Sequence, residues 1–237
     1  MTPDLPRMLT FQRDWPAASA AELRLAWKAA QIVVASVHTL SLQGLQIVQS
    51  VLADAEFLEW QHYPAEDVRD NRRASQYFYH AHPGLQRPFV EHGHFHLFVH
   101  AQSLGLRRAG RAPSPAHLLA VSMDARGMPT GLFTVNRWVT KGAWLSRQEC
   151  ALGLQHFQIG ARHGQRPVNQ FLTALLRLYA PQIEHLLIAR DEVLAELAHG
   201  RSNRQVFADS RYEVLSYLPI DLSTDIEQLE RAAGNIL

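Results

Sequence analysis

Seven of the thirteen histidines of this chain fall between residues 80 and 117. The densest run reads Glu91-His92-Gly93-His94-Phe95-His96-Leu97-Phe98-Val99-His100. Neutral imidazole is a ligand for zinc, iron, copper and nickel, and near neutral pH it also serves as a nucleophile or proton carrier. The histidines alternate with apolar residues. In a strand, successive side chains point to opposite faces, so the run predicts a strand with one buried face and one imidazole face. Strict alternation puts His92, His94 and His96 on one face and Phe95, Leu97 and Val99 on the other.

Alternate residues of a strand lie roughly 7 Å apart, so three of them span about 13 Å. One ion therefore takes two of these imidazoles and a third from a neighbouring strand. His80 and His82 precede a short connection and share a face of their own. The candidate ligands are thus His80, His82, His92, His94 and His96. His94 and His96 come first, with His80 or His82 third, and zinc or iron is the expected ion. Glu91 points away under strict alternation and reaches the site only if the strand is bulged near Gly93. Glu91 and His94 are the candidate catalytic residues, while Glu66, Asp67 and Asp70 are alternative carboxylate donors. Thr134 and Asn136, sharing a face of a later strand, and the adjacent Arg137 are candidates for binding a small-molecule substrate. Tyr77 and Tyr79 fit core aromatics. His38, His62, His156, His163, His185 and His199 fit solvated or hydrogen-bonded positions.

These residues need a sheet and something to hold it. Strands are expected over residues 75–82, 89–101, 117–123 and 132–138, with turn signals at Pro83-Gly84 and Asp124-Ala125-Arg126-Gly127. Local connections suggest an antiparallel meander. Before them, Ser19 and Glu22 form a capping box ahead of Leu23, Trp27, Ala30 and Val34 at helical spacing, and Leu45, Val48 and Leu52 continue the pattern. After them, Ser146 and Glu149 form a second box. Pro167 suits a helix start, and Pro181 breaks or bends that helix. Residues 205–220 look extended, and Thr224 with Glu227 suits a short final helix. The expectation is one α+β domain over residues 1–237. It has an irregular arm over 1–18 and an antiparallel sheet of about four to six strands flanked by N-terminal and C-terminal helices.

Composition narrows the partners. The net charge of +1 gives no broad basic footprint, so neither nucleic acid nor membrane is an expected partner, and a small molecule is. Arg107, Arg108 and Arg111 form one local cationic loop. Cys150 is the one cysteine, which excludes an intrachain disulfide and suits a reducing cytoplasm. The first residues lack the pattern of a signal peptide. No HExxH, CxxC, GxSxG or Walker-type loop is present.

Two resemblances add to this reading. His92-Gly93-His94-Phe95-His96-Leu97-Phe98 resembles the histidine-triad signature, and that resemblance implies His94 as a nucleophile toward phosphorus. His62-Tyr63-Pro64, Tyr77-Phe78-Tyr79-His80-Ala81-His82, the Glu91–His96 run and Asn136-Arg137-Trp138-Val139-Thr140 together resemble an uncharacterised bacterial family of unknown function. The expected function is a histidine-rich metalloprotein, a metal-dependent hydrolase or oxidoreductase acting on a small molecule. The alternatives are a metal-independent phosphohydrolase or nucleotidyl transferase of histidine-triad type, and a non-catalytic domain binding metal, haem or a metabolite.

Overall fold

The computed structural model describes residues 4–83, 89–100, 105 and 115–234. Its elements in chain order are β1 (Arg7–Met8), α1 (Ala20–Ser41), α2 (Ile47–Leu52), β2 (Tyr63–Asp70), β3 (Ser75–His80), β4 (Gly93–His100), β5 (Pro115–Met123) and β6 (Pro129–Val135). Then come α3 (Arg137–Thr140), α4 (Arg147–His156), α5 (Arg166–Leu178), α6 (Ala180–Leu197), α7 (Asn203–Phe207), β7 (Val214–Pro219) and α8 (Leu222–Ala233). The fold class is α+β.

Among the described residues, seven strands form one sheet in the order β1-β7-β6-β5-β4-β3-β2. The sheet is wider than the four to six strands expected, and it is mixed. β1 runs parallel to β7, whereas the other pairs are antiparallel. The two strands absent from the sequence reading lie at the edges. β1 has only two residues, and β2 carries charged Glu66, Asp67, Arg69 and Asp70, the first and third exposed, with a register shift between Tyr63 and Val68. Edge strands with such features blunt unwanted pairing, and they also hide from a hydrophobicity pattern. The lead-in segment is anchored through β1 and through Trp15, which is buried.

The expected pairing of the histidine strands is present: β3 and β4 are antiparallel neighbours, with His80 opposite His94 and Phe78 opposite His96. This register sends Tyr77, Tyr79, Phe95, Leu97 and Val99 into the main core, where α1 and α5 contribute Leu23, Ala30, Val33, Phe171, Leu172 and Leu175. Both capping boxes form, at Ser19 with Glu22 and at Ser146 with Glu149. Pro167 lies in the first turn of α5, and the break near Pro181 separates α5 from α6. Tyr77 Oη donates to Asn169 Oδ1 at 2.9 Å and ties the sheet to α5. The opposite face carries a smaller apolar cluster of Ala120, Phe133, Val135, Val214 and Tyr217. The histidines lie beside it.

Two expectations fail locally. Residues 203–207 form α7 and not a strand, because Ser202 and Gln205 make a capping box that overrides the β preference of Val206 and Phe207. Residues 137–140 leave the sheet as α3, capped by Asn136. Gly84 of the expected turn, the Arg107, Arg108 and Arg111 loop, and Ala101 lie outside the described residues.

Phe95 is fully buried between the sheet and the helices. Phe95→Ala is expected to lower the unfolding free energy by about 3–5 kcal/mol in a denaturant titration. Leu25→Ala, at an exposed position of α1, should change it by less than about 0.5 kcal/mol.

Candidate metal centre

Three imidazoles converge on the sheet face away from the main core. His80 comes from β3, and His94 and His96 come from β4. Their candidate ligand atoms all lie within 4.8 Å of one another. His80 Nε2 is 2.7 Å from His94 Nε2, and His94 Nε2 is 3.1 Å from His96 Nε2. An ion bound at about 2.0–2.1 Å would separate tetrahedral nitrogens by about 3.3 Å, so only a small opening of the cluster admits one. His94 and His96 are fully buried and His80 is half-buried. The accessible end of the cluster is therefore at His80.

The distal nitrogens of the two buried histidines are both engaged. His94 Nδ1 donates to Glu91 Oε1 at 2.8 Å, and Ser122 Oγ donates to Glu91 Oε2 at 2.7 Å. His96 Nδ1 lies 2.9 Å from His117 Nε2. Burial pushes His117 down to about 3, aided by the positive charge of Arg190, so this imidazole is neutral at physiological pH.

Both supporting residues arrive through departures from strict alternation. β4 begins at Gly93 opposite Met123, and the preceding His92 amide also donates to the Met123 carbonyl, out of the regular ladder. His92 then turns to the core side, where its Nδ1 pairs with Tyr79 Oη at 2.7 Å and its ring stacks on Phe57. Glu91 turns to the imidazole face instead. The two residues have exchanged the sides that alternation assigned them, so His92 is removed from the candidate ligand set. A side chain at position 93 cannot be accommodated: a Cβ there would lie 2.4 Å from Tyr79 Oη and 2.6 Å from the His80 carbonyl oxygen. In β5 the register slips between Leu97 and Phe98, so Leu97 faces Leu119 while Phe98 faces His117. Leu118 is the extra residue of this bulge, and His117 is thereby aimed at His96. Sequence reasoning passed over His117 as a site residue because alternation from Leu119 and Val121 places it in the core.

Other side chains complete the accessible end. His82 lies just beyond β3, with its Nε2 3.3 Å from His80 Nε2 and 4.0 Å from Glu213 Oε1. It falls outside the three-histidine group. Trp60 sits edge-on to His82 at 4.1 Å between centroids and is 55% exposed. His62 stacks on Phe78 at 3.6 Å and points Nδ1 to Asp67 Oδ1 at 2.9 Å. His62, expected at a solvated or hydrogen-bonded position, is hydrogen-bonded and lies beside the cluster because β2 pairs with β3.

The candidate substrate-binding residues are elsewhere. Thr134 is on the helical face, whereas Asn136 lies past the end of β6 as the N-cap of α3. Thr134 Oγ1 pairs with Ser216 Oγ at 2.6 Å, and Ser216 in turn donates to the Leu186 carbonyl of α6. The Asn136 side chain caps α3 through the Arg137 amide and donates to the Val206 carbonyl at 3.0 Å. Arg137 is exposed, with Nε 3.3 Å from the Gly142 carbonyl. Of the alternative carboxylates, Asp70 holds Arg73 and the Gly160 amide at the sheet edge, Asp67 holds His62, and Glu66 is exposed on β2.

Two outcomes follow. Gly93→Ala should destabilise the fold by about 1–3 kcal/mol, as overpacking does, and disturb the Glu91–His94 contact, read from denaturation and from the His94 imidazole NMR signals. The low value at His117 sets the sign of a pH effect. Unfolding restores its ordinary value near 6.5, so between about pH 3 and 6.5 the unfolded chain binds the extra proton. Stability therefore falls as pH drops through that window, and His92 and His100, also lowered by burial, act in the same direction. His117→Leu should give a shallower slope of unfolding free energy against pH.

No helix of the described residues is long and apolar enough to cross a membrane. No curated protein and no solved structure matches this chain. Residues 27–220 match the family described as a domain of unknown function, DUF6969, and the chain belongs to that family.

Proposed function

We propose that this protein holds a transition-metal ion on His80, His94 and His96 and acts as a metal-dependent enzyme on a small molecule, as a hydrolase or an oxidoreductase. The observation that carries the reading is the convergence of three Nε2 atoms whose two buried rings are each held from behind at Nδ1. Metal-bound histidines ordinarily donate their second ring nitrogen to a carboxylate, carbonyl or similar acceptor, which fixes ring orientation and tautomer. Three protein ligands leave a position for water or substrate, and the half-buried His80 end is where either would enter. An ion there would supply Lewis acidity or a metal-activated water. Zinc would favour hydrolysis and iron would favour redox chemistry.

The geometry supports this more than a nucleophilic His94. His94 has no exposed surface, and its Nε2 faces two other imidazoles. An attacking nitrogen needs a clear path to phosphorus.

Elemental analysis of protein purified without a metal-affinity tag tests the proposal. The expected result is about one zinc or iron per chain. His94→Ala and His96→Ala should each lose the ion, and His92→Ala should keep it. A folded, metal-free protein whose affinity for added zinc is unchanged by His94→Ala and His96→Ala would overturn it.

A further inference from the structure

We infer that Glu91 is a positioning residue which fixes the tautomer of His94 so that its Nε2 lone pair faces the ion; this rests on the metal reading above. The carboxylate is 3% exposed at its side chain, and its two oxygens have separate duties. Oε1 accepts from His94 Nδ1 at 2.8 Å, and Oε2 accepts from Ser122 Oγ at 2.7 Å. A carboxylate can only accept, so the proton of a neutral His94 is held at Nδ1. The same certainty is lacking at His96. Its Nδ1 faces another imidazole nitrogen, and either one can carry the shared proton. The tautomer is thus imposed by an acceptor-only partner at His94.

Glu91 is placed behind the ring and not in front of it. It reaches the cluster through the distal nitrogen of a fully buried histidine, on the side of that ring away from the convergent Nε2 atoms. This is the place the sequence leaves open to Glu91 where the strand departs from alternation near Gly93. Burial raises the phenols of Tyr79 and Tyr217, the latter to about 12, and the Glu91 charge adds to this, so both stay protonated. Ser122 stands opposite His94 in β5, and Gly93 lets the chain pass close over Tyr79, so two strands and one glycine build this arrangement.

The test uses the full chain with Glu91→Gln, a change that keeps size and an acceptor oxygen but removes the charge and adds a donor. Its amide can turn to donate to His94 Nδ1, which moves the ring proton to Nε2. Two measurements are made: cobalt(II) affinity by optical titration, and the His94 tautomer of the metal-free protein by nitrogen-15 NMR. The expected result is an Nδ1–H tautomer in the wild type and a raised Nε2–H population in Glu91→Gln. Cobalt affinity should fall about 10–100-fold, with cooperative unfolding retained. Ser122→Ala should shift both measurements in the same direction by less. A wild type that binds cobalt, with affinity and tautomer unchanged in Glu91→Gln, overturns the role of Glu91 alone. An Nε2–H tautomer in the wild type overturns it as well. A wild type that binds no metal overturns the metal reading and this role with it.

Discussion

Burying an imidazole obliges the fold to supply a partner at each ring nitrogen, because an unpaired buried polar atom costs about 1–3 kcal/mol. Here the obligation arises on neighbouring positions of one sheet face. His94 and His96 are buried, and their Nε2 atoms point at one another and at His80. The distal nitrogens must then be satisfied from beyond the cluster, by Glu91 with Ser122 on one ring and by His117 on the other. The main core is indifferent to which polar groups serve. It requires only that Phe95, Leu97 and Val99 stay on the helical side, which fixes the register and so fixes the imidazoles.

A perfectly regular sheet would not meet that requirement. Alternation puts one residue in two on the imidazole face, and of the histidines it assigns there His80, His94 and His96 converge. Their supports come from the places where alternation stops. Gly93 ends the ladder and swaps Glu91 for His92, and the bulge at Leu118 turns His117 outward from the core pattern. Irregularities of this kind re-aim side chains at sites.

The same logic explains what was legible in the sequence. His80, His94 and His96 could be read because period-two patterning with apolar partners is robust within a strand. The helices flanking the sheet could be read from Ser19 with Glu22 and Ser146 with Glu149. The supports could not, since a bulge leaves no pattern of its own; Gly93 was the one visible sign of a break in alternation. Thr134 and Asn136 do not line the histidine face: β6 ends at Val135, so Asn136 leaves the strand to cap α3, while Phe133 and Val135 pack on the histidine side. Ser202 with Gln205 was a readable signal for α7 that the β-branched and aromatic residues after it obscured. β2 was hidden by Glu66, Asp67 and Arg69, which belong to an edge.

Burial also divides the cluster into a fixed back and an open front. His94 and His96 form the back, packed against Phe133 and held at Nδ1. His80, His82 and His62 form the front, and there the backbone is under strain. Trp60 has φ +69° where it covers His82, and Asp67 has φ +54° where it holds His62. Neither is glycine, and left-handed conformations at such residues cost of order 1–3 kcal/mol each. Nothing in the main core requires these two side chains: Trp60 is largely exposed, and Asp67 lies on an edge strand. Positive φ also occurs at Ala53, Ala74 and Lys141; at Trp60 and Asp67 it accompanies an aromatic ring and a carboxylate-held imidazole beside the accessible histidine. The back thus holds a constant set of imidazole nitrogens, while the half-buried His80 and exposed Trp60 leave the front accessible.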